Sequence, residues 1–191
     1  MITLALYLYW ANKAGTNKIM AKKKIASASK VTMTELVLPN DTNTLDNLMG
    51  GRLMHWMDIC AAIAAQKHSN RIVVTASVDN ISFGKPISLG DVVTLEAQVT
   101  RSFNSSMEVY ISAKSENIPG GKSEITNRAF FTFVAVDQSG RPIDVPEVTP
   151  ETEEEKELYA GALRRRQLRL VLAKRMKPED AKELRTFLDV D

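Results

Sequence analysis

The sequence predicts an α+β domain in which one curved antiparallel sheet wraps a single long helix. Three observations carry this. Residues 52–68 are apolar at helical spacing, and from residue 74 onward the hydrophobic period changes to two. Short turns join the later strands, which reads as four antiparallel strands.

The first strand is read at residues 32–38, rich in β-branched side chains and stopped by Pro39-Asn40-Asp41. A polar loop leads to Gly50-Gly51 and then to the helix. There Met54, Ala61 and Ala65 share a stripe, with Trp56 and Ile63 widening the apolar surface. A helix apolar around so much of its circumference is expected to be buried. Ser69-Asn70 ends it. In the next strand the apolar parity switches between Val74, Ala76, Val78 and Ile81, Phe83, which places a bulge or bend near Asp79-Asn80.

Residues 84–90 read as a turn. Val93, Leu95, Ala97 and Val99 then alternate with polar neighbours, as do Met107, Val109, Ile111 and Ala113 after the break at Asn104-Ser105-Ser106. The last strand, 125–136, is apolar on both faces and so is expected to be covered on both sides. Beyond it, residues 150–175 suit a surface helix capped by Thr149 or Thr152, with glutamates early and arginines late. A short helix follows from Pro178. The division is an N-terminal extension 1–25, a sheet-and-helix domain 26–148 and a helical extension 149–191. A lone layer of this kind leaves an apolar face, so an oligomer is expected.

At 191 residues, 44% hydrophobic and 25% charged, the chain suits one ordinary soluble domain. A net charge of +2 argues against nucleic-acid binding by bulk electrostatics. No stretch approaches the roughly 20 apolar residues of a membrane span. Residues 1–11 are apolar but lack the flanks of a secretory signal, and Met20-Ala-Lys-Lys-Lys24 reads as a cytosolic start. The single Cys60 cannot form an internal disulfide, which fits a reducing cytoplasm. With only His55 and His68 besides, no metal site is expected. Nucleophile-elbow, phosphate-loop and dinucleotide-binding motifs do not occur.

One segment carries chemistry: Asp41-Thr-Asn43-Thr-Leu-Asp-Asn47-Leu-Met-Gly50-Gly51-Arg-Leu-Met-His55-Trp-Met-Asp58. A polar loop feeds Gly50-Gly51 directly into a helix start. Backbone N–H groups there are free of helical partners and suit a developing oxyanion, and glycine lets a substrate approach. Asp58 lies seven residues past Gly51, about 700° around the helix and so on nearly the same side. A carboxylate flanked by Met57, Ile59 and Cys60 is costly to bury unless paired or in use, and poor solvation favours it as a base. Asn43 and Asn47 are ordinary turn residues on this reading. His55 reads as a packed or half-exposed histidine, and Cys60 as a small core residue.

These residues, with Val74-Thr-Ala-Ser-Val-Asp79, Phe83, Pro86, Gly90-Asp91, Ser106-Met-Glu-Val109, Ala129-Phe-Phe-Thr-Phe-Val-Ala-Val136 and Gly140-Arg-Pro142, resemble the cytosolic acyl-CoA hydrolases over roughly residues 30–150. The resemblance implies a hotdog fold and acyl-CoA thioester hydrolysis in the cytoplasm, with no cofactor beyond the coenzyme A of the substrate. It implies a site between paired domains, one giving Asn43 and the other Asp58, and a trimer of such dimers. It places coenzyme A along Val78, Asp79 and Phe83 and beside Ser105, Ser106 and Met107. Basic residues such as Arg101, Arg128 and Arg164 to Arg166 become candidates for its phosphates. Two rivals share the fold. A dehydratase or hydratase needs a histidine facing an acid across the site, which His55 and Asp58 on one helix do not supply. A non-catalytic acyl-CoA sensor is expected to carry a DNA-binding segment, for which the short basic N-terminus is too small.

Overall fold

In the computed structural model, residues 23–79, 81 and 83–188 are described. The apolar stretch 1–11 and the expected start at Met20 lie outside them. A short strand, β1 (Lys23–Ile25), precedes a single 3-10 turn and β2 (Val31–Leu36); a long helix, α1 (Gly50–Ser69), follows. Four strands come next: β3 (Ile72–Val78), β4 (Val92–Ser102), β5 (Ser106–Asn117) and β6 (Lys122–Val136). A short β7 (Glu147–Thr149) leads to α2 (Glu153–Leu172) and, after a 3-10 turn, α3 (Lys182–Leu188).

The main sheet runs β2-β4-β5-β6-β3, with every neighbouring pair antiparallel. Its inner face buries Val93, Leu95, Val99, Met107, Val109, Ile111, Phe131 and Phe133. Against them α1 packs Leu53, Met57, Cys60, Ala61, Ala64 and Ala65, which recur at three and four residues as a helix buried along one face requires. The small alanine face lets β4 approach closely. The helix ends where Asn70 turns left-handed (φ 53°) and bonds back to Gln66.

Three expectations need correction. Gly50 and Gly51 are the first residues of α1 itself, with Met49 as its N-cap. The helix is not covered all round: Ile59 and Ile63 are exposed, as are Ile72, Val74 and Val78 of β3, which is an edge strand of the sheet among the described residues. The bulge lies earlier than the parity switch indicates, because the β3–β6 register slips between Thr75 and Ser77. Finally, β1 pairs in parallel with β7, two three-residue strands too short to show a periodicity.

The chain forms two compact units, one ending at Thr149 and one spanning Pro150–Asp191. In the second, Thr152 caps α2 through a capping box with Glu155, and the early glutamates and late arginines follow the helix dipole.

Candidate active site

The loop before α1 is fixed by its own polar side chains. Asn43 Oδ1 accepts the N–H groups of Leu45 (2.9 Å) and Asn47 (3.2 Å), while Asn43 N–H donates to the Asn47 carbonyl (2.8 Å). Asp46 takes a left-handed φ of 56° at the tip of this turn. Asp41 ties the loop to the helix. One carboxylate oxygen accepts Leu38 N–H, the other meets Arg52 Nε at 2.8 Å, and its carbonyl accepts Met49 N–H.

A second loop, residues 83–91, is stapled onto the first. Leu48 N–H donates to the Ile87 carbonyl and Leu89 N–H to the Asp46 carbonyl. Asp91 holds the base of this loop, accepting Ser88 N–H, Ser115 Oγ–H and Asn117 Nδ2–H at 2.9–3.1 Å. Gly90 supplies the left-handed φ of 85° that the turn needs.

Between the two loops and the N-terminus of α1 lies a cavity of about 310 Å³. Asn43, Asn47, Gly50, Leu53, Phe83 and Lys85 line it, with Asn127 of β6 also in its wall. Asn127 is 4% exposed, so a buried amide is part of the wall. The Phe83 ring stands over Gly50: a Cβ there would come within 3.3 Å of the ring. Gly51 faces open space, so the close backbone approach expected at both glycines is found only at Gly50. At the helix start the Met49 carbonyl takes Arg52 and Leu53 N–H, leaving the first N–H groups pointed along the axis at the cavity end.

Asp58 does not line this cavity. It sits half-buried on α1, and the Thr75 hydroxyl donates to its Oδ1 at 2.8 Å. Thr75 was not legible as a site residue, since a threonine in a β-branched run reads as strand; the bulge after it is the signal that marks it. Asn43 and Asp58 therefore do not share one cavity within a protomer. Of the residues expected along coenzyme A, Phe83 lines the cavity and Val78 is exposed on the β3 edge. Asp79 continues the strand, its N–H donating to the Phe130 carbonyl. Ser105, Ser106 and Met107 do not line the cavity, and Met107 is wholly buried in the core. Met107 therefore contributes packing within a protomer, because its side chain lies on the inner face of the sheet.

The other nucleophiles and bases are accounted for. Burial, with Glu96 nearby, pushes the Cys60 thiol up to about 11, so it is inert. His68 is buried with Nε2 2.8 Å from the Pro146 carbonyl, and burial holds it below the ordinary histidine range. His55 is exposed.

Residues 45–121 match the family model described as the thioesterase superfamily. The chain is 44% identical over 142 residues to the uncharacterized acyl-CoA thioester hydrolase YkhA of Bacillus subtilis, a match covering 74% of this chain and 83% of that protein. Among solved structures it resembles an apo-hexameric acyl-CoA thioesterase (TM-score 0.77, 43% identity, 80% of this chain and 97% of the other). It also resembles the acyl-CoA hydrolase of Staphylococcus aureus in complex with butyryl coenzyme A, coenzyme A and coenzyme A disulfide (TM-score 0.73, 39% identity, 80% and 94%). That enzyme has also been solved with an asparagine, an aspartate or a threonine replaced by alanine, at positions separated by 15 and then 17 residues.

Proposed function

The chain belongs to the acyl-CoA thioester hydrolases of the thioesterase superfamily, and from that premise we propose that it hydrolyses acyl-coenzyme A to a free fatty acid and coenzyme A at a site shared by two protomers. The observation that carries the reading is the cavity lined by Asn43 and Gly50, set against an Asp58–Thr75 pair on the exposed face of the same protomer. The 15- and 17-residue spacings of the asparagine, aspartate and threonine altered in the S. aureus enzyme are those of Asn43, Asp58 and Thr75, which supports treating the three as a set.

Each residue has a defined role in this mechanism. Asn43 Oδ1 is already occupied by two backbone N–H groups, so its Nδ2 donates to the thioester carbonyl. The N–H groups at the start of α1 supply further positive potential to the same oxygen. Thr75 fixes Oδ1 of Asp58, leaving the other oxygen to take a proton from water. The hydroxide adds to the carbonyl carbon, and the tetrahedral oxyanion collapses with breakage of the C–S bond. Coenzyme A leaves as the thiolate and collects the proton from Asp58.

An exposed apolar face supports the proposed pairing. β3 is an edge strand with Ile72, Val74 and Val78 exposed, and Ile59 and Ile63 extend that apolar face onto α1. Asp58 and Thr75 share the face, so a second copy seated there brings its Asn43 cavity to this Asp58. A hexamer of three such pairs accords with the hexameric relative, and we take the cytoplasm as the place where it acts.

Mixing the protein with acyl-CoA and a thiol reagent tests the activity directly; binding without thiol release would mark a sensor instead. Co-assembling Asn43→Ala and Asp58→Ala protomers tests the sharing. Each is expected to be inactive alone, whereas every mixed pair regains one intact site. Mixed pairs as inactive as their parents would overturn the shared site.

A further inference from the structure

The charge of this chain is concentrated at one end. Residues 163–188 carry nine lysines and arginines against three acids, a net +6, while the rest of the chain is −4. This segment comprises the second half of α2, a turn and α3.

An exposed apolar stripe accompanies the charge. Leu168 and Leu172 lie one turn apart on α2, and Leu172 is 75% exposed. Arg164, one turn before Leu168, has its guanidinium 4.4 Å from the centre of the Phe187 ring. That contact holds Phe187 of α3 against Arg164, and Phe187 and Leu188 are both more than half exposed. Lys174, Arg175, Lys177 and Lys182, between Leu172 and Phe187 in the sequence, are exposed as well.

We infer that this hairpin docks on an anionic lipid surface. Apolar side chains rimmed by cations suit the headgroup boundary of such a bilayer, where the hydrocarbon enters and the cations meet phosphate. A nucleic-acid backbone has no use for the leucine stripe. A second copy of the hairpin is disfavoured by its own +6 charge. Among the described residues no helix is long and apolar enough to cross a membrane. The inference does not depend on the thioesterase reading, although acyl-CoAs and fatty acids are themselves amphiphiles that partition into membranes.

The test is co-sedimentation of the full chain with vesicles of phosphatidylcholine alone and of an equimolar mixture with phosphatidylglycerol. Binding is expected on the mixed vesicles, to fall with added salt, and to weaken by about 30-fold when Lys174 and Lys177 are both replaced by alanine. Leu172→Asp with Phe187→Asp is expected to abolish it while leaving the mass in sedimentation velocity unchanged. Equal binding to neutral vesicles, or none to either, overturns the inference. So does a change of oligomeric state in the aspartate variant, which would make the stripe a contact between subunits.

Discussion

Replacing Thr75 by valine removes one hydroxyl from the site and almost nothing else. The side chains have the same shape, both favour a strand, and β3 keeps its backbone pairing with Phe133 of β6. What is lost is the 2.8 Å hydrogen bond to Asp58 Oδ1. A hydrogen bond to a charged acceptor is worth about 1.5–3 kcal/mol, and in this solvent-facing setting the lower end applies. If that bond orients the carboxylate toward water, a loss of about 1.5 kcal/mol lowers kcat by about tenfold. Because Thr75 touches Asp58 and not the cavity, KM is expected to stay within about twofold. Stability in urea is expected to change by less than about 0.5 kcal/mol, since Thr75 is exposed in the protomer. Thr75→Ser restores the donor and is expected to recover most of the rate. Thiol release measured over a range of acyl-CoA concentrations separates kcat from KM. A Thr75→Val enzyme with wild-type kcat refutes the role, as does a serine variant that is no better than valine.

Three further outcomes follow from the geometry. Gly50→Ala drives a Cβ to 3.3 Å from the Phe83 ring and is expected to lower kcat/KM by about tenfold or more, whereas Gly51→Ala meets open space and should stay within about twofold. The reverse order in steady-state assays would mean that the cavity is not where the thioester binds. Asp91→Ala strands three donors around a buried position, for a loss of about 3 kcal/mol read as a lower urea midpoint at unchanged m-value. His68 titrates lower in the folded chain than its ordinary 6.5, chiefly through burial, so the unfolded chain takes up the proton first as the pH falls. The stability held by the neutral ring is complete above about pH 6.5 and drains away below it; His68→Gln should flatten that acid limb in denaturation series between about pH 7 and pH 5.

The helix and the five-stranded sheet were legible because each repeats a period over many residues. Leu53, Met57, Ala61, Ala64 and Ala65 announce one buried helical face, and Val93 to Val99 one buried strand face. Single events within a regular element were not. The slip between Thr75 and Ser77 leaves the residue types of a strand intact and changes only which side chains look outward. Thr75 was missed for that reason, and Asn127 because one amide in a long strand reads as an exposed polar position until the cavity beside it is known. Asp58 stood out because a carboxylate interrupts an apolar helix. Asn43 was legible as a site residue only through resemblance, since its Oδ1 makes the same local bonds that any turn asparagine makes.

That contrast bears on how the site is built. Asn43 is held entirely by its own loop, and Asp58 by a strand from the other side of the helix, with no hydrogen bond of either group depending on the other. The two halves can therefore be preformed in each protomer without being assembled in it. In the proposed pairing, a partner seated on the exposed Ile59, Ile63 and the β3 edge would cover apolar surface and, at the same time, remove bulk water from around Asp58. The burial that drives association thus also creates the water-poor setting in which the Asn43 amide and the helix N-terminus act most strongly on a carbonyl. In one protomer Asp58 is half-buried on α1 and does not line the cavity beside Asn43. The proposed shared site thus makes hydrolytic activity a property of the pair.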